Sequence, residues 1–303
     1  MKKWLPVMIL GGVLLGAGAF WYHSRAYGPD KLMQMLPPDR SAHVFIDVGA
    51  LRSTGILDLI AGSPALEDAD YKKFVTETGF NYRQDLDHLA IAFRDGDVYY
   101  AAQGNFNWEK LAAYAPAHGG ACERFICKAP GSEPGRNVSY YMPRGGILAI
   151  AVSKTASAGD MVGPGSWEHP PKIDAPVWIS TPPFVFNDLS KLPAGTRSFV
   201  SPLKNATSAI FTLGPTKDAF ELKMNVAAKD AAGAVALAKQ YNEVTDLFVK
   251  MLERDKMRPD PNDLAGILTS GKFASKEAQV TGTWPIPRKF LESLASSVNV
   301  GNK

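Results

Sequence analysis

Nineteen consecutive residues, Trp4 to Tyr22, carry no charge, and the pair Lys2-Lys3 stands immediately before them. At ~1.5 Å rise per residue a helix of that length reaches roughly 28 Å, the thickness of a bilayer's hydrocarbon core. The lysine pair stays cytoplasmic by the positive-inside bias, which puts the rest of the chain on the far side. Trp4 falls at the near interface and Phe20, Trp21 and Tyr22 at the far one, where aromatic belts sit. A cleaved signal peptide obeys the same physics, and Ala17-Gly18-Ala19 offers a small-residue cleavage site. The apolar run continues past that site, which favours a retained anchor. No Cys precedes Cys122, which argues against a lipid-modified start. Gly12 and Gly16 have the spacing with which membrane helices pack, although Gly is common in such segments.

The chain has 303 residues, 46% of them apolar and 21% charged. That supports two domains of about 130 residues. It excludes a disordered, collagen-like or many-spanning membrane protein. The net charge of +3 resides in Lys2, Lys3 and Arg25, and the remainder balances 30 basic against 30 acidic groups. A neutral body without a basic stripe argues against nucleic acid as a partner, because phosphate neutralisation needs clustered Lys and Arg.

Beyond a tether from Gly28 to Pro38, the first strand is His43 to Val48. Helical signals follow at Ser53 to Ile60 and at Glu67 to Thr78, the latter ended by Gly79. Leu89, Ile91 and Phe93 then alternate, Asp95-Gly96 turns, and Val98, Tyr100 and Ala102 return as a hairpin. A short helix fits Trp108 to Ala115, and a strand pair surrounds Pro143-Arg144-Gly145-Gly146. Ser153 to Pro176 has no period and reads as a linker. The second half replays the order: Val177 to Ser180 as a strand, a Pro-rich passage, and a hairpin with Ala209, Phe211 and Leu213 outbound. Phe220, Leu222, Met224 and Val226 return, separated by Glu221, Lys223 and Asn225, the pattern of a strand buried on one face. Leu237, Tyr241, Val244, Phe248 and Met251 then mark one face of a helix from Asp230 to Lys256, stopped by Pro259. A strand at Ala278 to Trp284 and a helix with Phe290, Leu291 and Leu294 close the unit.

These elements predict an α+β chain of two tandem ferredoxin-like half-repeats, split βαβ units with antiparallel sheets and helices on one face, after one transmembrane helix. The expected boundaries are 1–28 for the anchor or signal peptide, 29–155 for the first repeat, 156–176 for the linker and 177–303 for the second repeat. The halves pack sheet against sheet or join edge to edge.

Three short motifs carry a resemblance. Pro37-Pro38-Asp39 precedes a strand ending in Asp47, followed by Ala50-Leu51-Arg52. Asp85-Leu86-Asp87 leads into the hairpin, and Gly104-Asn105-Phe106 precedes a helix. With the later helix and terminal strand, the chain from Pro37 to Ser293 resembles a group of uncharacterised bacterial envelope proteins with an N-terminal membrane anchor. The resemblance implies topology and location, a single-pass inner-membrane protein with its body in the periplasm, and transfers no site residue.

Chemistry is sparse. His23, His43, His88, His118 and His169 form no helical pair of the zinc-binding kind, and structural roles are expected for each. Cys122 and Cys127 admit a disulfide or two free thiols. In an extended segment they would point to opposite faces, so a bridge requires a turn between them. Ser166, Glu168 and His169 are neighbours in the linker, whereas a triad is assembled in space on a rigid scaffold. Ser201 and Lys204 match a Ser-x-x-Lys spacing, expected about once by chance at this composition and lacking its partner motifs. Adjacent tyrosines in strands place one ring on each face, so Tyr99 and Tyr141 offer an outward aromatic patch for a partner or a glycan; core packing or simple sheet covering is the stronger expectation, because aromatics favour strands anyway. No cofactor or metal is expected. The preferred reading is a non-enzymatic, membrane-tethered binding or accessory subunit of an envelope complex, anchored in the bilayer through residues 4–22. The alternative is an envelope hydrolase with Ser166 or Ser201 as nucleophile.

Overall fold

A computed structural model of the chain describes residues 28–61, 69–155, 161–186, 197, 200–217 and 219–293. The expected membrane segment, and Leu294 of the terminal helix, lie outside these residues. Among them, twelve strands form one antiparallel sheet in the order β11-β12-β10-β9-β8-β1-β2-β3-β7-β6-β5-β4. The strands of the first half are β1 (Ser41–Asp47), β2 (Leu86–Arg94), β3 (Asp97–Gly104), β4 (Ala121–Glu123), β5 (Ile126–Pro130), β6 (Asn137–Arg144) and β7 (Ile147–Ser153). Those of the second are β8 (Val177–Thr181), β9 (Ser208–Pro215), β10 (Phe220–Ala227), β11 (Lys272–Lys276) and β12 (Gln279–Ile286). The fold is α+β, as the alternating patterns require.

The halves join edge to edge. β1 pairs with β8 in antiparallel register, Phe45 opposite Trp178, so one continuous sheet runs through both. Outward from that junction the order is β1-β2-β3-β7-β6 on one side and β8-β9-β10-β12-β11 on the other. This is not the split βαβ arrangement. A split unit places a strand between the first two strands of the sequence, whereas β1 pairs directly with β2 along its whole length. Alternation shows which residues share a face; it carries no information on which strand lies beside which, and the expectation went wrong there.

The two faces are built differently. One face carries an apolar row across ten strands: Tyr140, Ile150, Tyr100, Ile91, Val44, Ile179, Phe211, Met224, Gly282 and Phe273. Gly282 is the gap in that row, and a Cβ there would lie 2.9 Å from the Phe273 ring. Most helices pack on this face, and the larger core cluster lies beneath them. They are α2 (Val48–Ser53), α3 (Ile56–Ala61), α4 (Ala69–Thr78), α5 (Tyr82–Asp85), α6 (Trp108–Ala117), α7 (Ala231–Arg254) and α8 (Leu264–Thr269). α7 is the long periodic helix: Asp230 caps it by accepting from Gly233 N at 2.7 Å, and Leu237 and Tyr241 are buried against the sheet.

The described residues of the expected tether and linker, 28–38 and 161–176, are not loose. α1 (Pro29–Met33) and Gln34 to Leu36 lie on the opposite face of the first half, where Leu32, Met33, Met35 and Leu36 are buried with Val162 of the linker. Gly163 N donates to Met35 O at 2.9 Å and Trp167 N to Gln34 O at 3.0 Å, so the two segments pair as a strap. The floor under them is small: Ala90, Ala92, Ala101, Ala149 and Ala151 are all buried in this second cluster. Helices on one face only therefore describes the second half, and the first half is covered on both.

Candidate functional site

The strongest concentration of polar side chains singled out in the sequence lies where β1 ends, β2 begins and β3 ends. Asp47 closes β1 and caps α2, its Oδ1 accepting from Ala50 N at 2.7 Å. Its Oδ2 stands 3.6 Å from His88 Nε2. His88 Nδ1 lies 3.0 Å from Gln103 Oε1, and the imidazole stacks on Phe45 at 5.9 Å. Register explains the row, since Asp47 pairs with His88 and His88 with Gln103 on neighbouring strands.

Arg52, one turn into α2, reaches the same corner. Its Nε donates to Arg83 O at 2.7 Å and its Nη2 to Leu86 O, while Nη1 faces Asp87 Oδ1 at 3.6 Å. Asp85 accepts from Asn81 N through Oδ2 at 2.8 Å, and its carbonyl accepts from Asn105 N at 2.7 Å. A Cβ at Gly104 would come within 2.1 Å of Asp85 O, so only Gly permits this approach. Parts of the three motifs that carry the resemblance thus converge in space, Asp47 to Arg52, Asp85 to Asp87 and Gly104-Asn105, while Pro37 to Asp39 lies at the other end of β1. Sequence reasoning named each and missed their meeting, which depends on the β1–β2–β3 order.

The chemistry of this corner is that of a clamp. The imidazole of His88 stands between the Asp47 carboxylate and the Gln103 side chain, so it bridges the ends of three neighbouring strands. The arginine and both carboxylates spend their hydrogen bonds on backbone groups that would otherwise be orphaned where strands meet short helices.

The remaining candidates separate. Ser166 Oγ donates to the carbonyl of Gly163 at 2.9 Å in the exposed strap, and no hydrogen bond joins it to Glu168 or His169. Ser201 lies on a 3-10 turn, Ser201–Asn205. It lines a cleft of about 480 Å³ with Pro202, Asn205, Gln240, Glu243, Val244 and Leu247, and Lys204 is not among the walls. Cys122 and Cys127 face each other across β4 and β5 and are joined by a disulfide. The turn that this spacing requires is Arg124-Phe125, with Arg124 at φ +56°.

Tyr99 and Tyr141 do share a face, but it is not outward. Tyr99 is 3% exposed, its hydroxyl 3.5 Å from Met161 Sδ, and the Tyr141 hydroxyl donates to Val162 O. The strap covers both, because the alanine floor beside them leaves room for a chain to lie close. His43 is buried under Trp167, ring centroids 4.4 Å apart, with Nε2 3.0 Å from Pro37 O. Burial pushes its pKa below the usual value, and the Pro37 carbonyl opposes that in part. His118 stacks on Tyr114 at 3.9 Å and faces Glu77 at 3.4 Å. Among the described residues no three His, Cys, Asp or Glu side chains gather as a metal site would require. No described helix is long and apolar enough to cross a membrane.

No family model and no curated protein matches the chain. Solved structures of a protein named TP0453 are similar across most of it. Crystal form I aligns with 90% of this chain and 100% of its own at 13% identity, TM-score 0.46. Form III covers 89% and 98% at 14% identity, TM-score 0.47. Form IV covers 89% and 96% at 12% identity, TM-score 0.43.

Proposed function

We propose that this chain is a membrane-tethered, extracytoplasmic protein without catalytic activity, held in the inner membrane by residues 4–22 and serving as a binding or accessory subunit of an envelope complex. The observation that carries the reading is the uncharged run from Trp4 to Tyr22 behind Lys2-Lys3, followed after five residues by the folded body at Gly28. The Cys122–Cys127 disulfide supports an oxidising compartment. The clamp-like use of Asp47, Arg52, Asp85 and His88 supports a structural role for the motif residues.

Full-length protein expressed in a Gram-negative host tests this directly. It is expected in the carbonate-washed membrane pellet, with its body digested by protease only after the outer membrane is opened. Recovery in the soluble fraction, or protection of the body inside spheroplasts, overturns the reading.

One observation favours the hydrolase alternative: Ser201 stands in the wall of a cleft. Labelling by a fluorophosphonate probe that disappears in Ser201→Ala, and not in Ser166→Ala, would establish it. No labelling is expected.

A further inference from the structure

We infer that the strap-covered face of the first half docks on the surface of the bilayer that holds the N-terminus, with Phe125 and Met161 entering the lipid interface. The inference rests on the tethered reading above and adds which surface of the body meets the membrane.

The first argument is reach. Five residues, His23 to Tyr27, separate the uncharged run from Gly28, and six peptide steps extend at most about 20 Å. A body held that close must turn some face to the lipid. The chain enters the body through α1, which packs on the strap face, against β2 and β3. The tether therefore arrives on that face.

The second argument is what that face offers. Phe125 is 60% exposed and forms the tip of the β4–β5 hairpin, which the disulfide closes at its base. Its ring meets Tyr141 edge-on at 6.0 Å, which fixes it on the strap side of the sheet. Met161 is 42% exposed and touches Tyr99 from the same side. Arg124 beside Phe125 is exposed, positioned for anionic headgroups. An aromatic ring and a thioether on rigid supports, next to a basic group, match the chemistry of a bilayer interface.

A third argument excludes the rival patch. Leu247 and Met251 are also exposed, but on α7, which covers the opposite face of the second half. One flat bilayer cannot meet both faces. Two anchoring side chains suffice, because a short tether supplies an effective concentration on the order of millimolar.

The test uses the full chain in vesicles of phosphatidylethanolamine and phosphatidylglycerol carrying a diazirine-tailed phospholipid, with cross-linked peptides mapped by mass spectrometry. Cross-links are expected within residues 4–22 and on the peptides holding Phe125 and Met161. The double variant Phe125→Ser, Met161→Ser is expected to lose body cross-links by about tenfold or more, while those in 4–22 persist. Body cross-links on Leu247 or Met251, or none on the body while 4–22 is labelled, overturn the docking and leave the anchor standing. Labelling at Phe125 without any in 4–22 keeps the docking and overturns the anchor. No cross-link anywhere overturns both.

Discussion

One row of residues crosses ten of the twelve strands on the strap side, and its two halves have opposite chemistry. In the first half it reads Tyr141, Ala149, Ala101, Ala90, Phe45; across the junction it continues Trp178, Thr212, Lys223, Thr283, Lys272. The strand order around each set is the same, so the contrast is one of side chains. Alanines make a shallow floor on which α1 and the linker pack; Thr and Lys make a surface that water covers. A single backbone plan thus supports a sheet buried on both faces and a sheet buried on one, and three or four side chains per row decide which.

Trp178 tests the comparison hardest, because it belongs to the second half yet is buried by the first half's cover. It is 1% exposed and stacks on Phe45 at 5.9 Å. Trp178→Ala is expected to lower unfolding free energy by about 3–5 kcal/mol in urea titrations. Trp178→Phe should lose far less, since Nε1 has no hydrogen-bond partner among the described residues and its removal orphans nothing there. Equal losses for the two would mean that the junction is not a shared core.

The equivalent pair Ala101 and Lys223 sharpens the contrast. Ala101→Leu puts a branched side chain under the strap and is expected to cost about 1–3 kcal/mol. It should also open the strap to proteolysis near Gly163. Lys223→Leu, at the matching place in the second half, should stay within about 0.5 kcal/mol of wild type. Similar costs at both sites would show that the second half is covered as well.

How much of this was legible differs along the chain. The alternation from Phe220 to Val226, the Asp95-Gly96 turn and the apolar spacing of the helix after Asp230 are local signals, and the structure has each where they point. The strap was not legible as cover, although Leu32, Met33, Met35 and Leu36 are an apolar cluster in what was read as a tether. A further signal lay in β2, where Leu89-Ala90-Ile91-Ala92-Phe93 is apolar at every position, the mark of a strand buried on both faces. The β4–β5 hairpin escaped notice because β4 is exposed at all three residues and has no period. Strand order, and with it the meeting of Asp47, His88 and Gln103, is set by long-range pairing that no local pattern encodes.

The smallest effect expected is a pH dependence confined to the first half's cover. His43 sits between the Pro37 carbonyl and the Trp167 ring, and its pKa is lowered chiefly by desolvation; Ser180 stands opposite it on β8. A folded pKa below the unfolded one means that the unfolded chain takes the proton first. Its contribution is therefore intact above about pH 6.5 and is lost as pH falls below that value toward the folded pKa. The urea midpoint of the wild type should drop between about pH 7 and about pH 5, and His43→Gln, which can still donate to Pro37, should flatten that drop. Hydrogen exchange should show the acid-induced loosening at Leu32 to Leu36 and at Trp167 before it reaches β10 or β12. If the second half loosens first, the cover does not depend on an uncharged His43, and the acid sensitivity belongs to the sheet that water already touches.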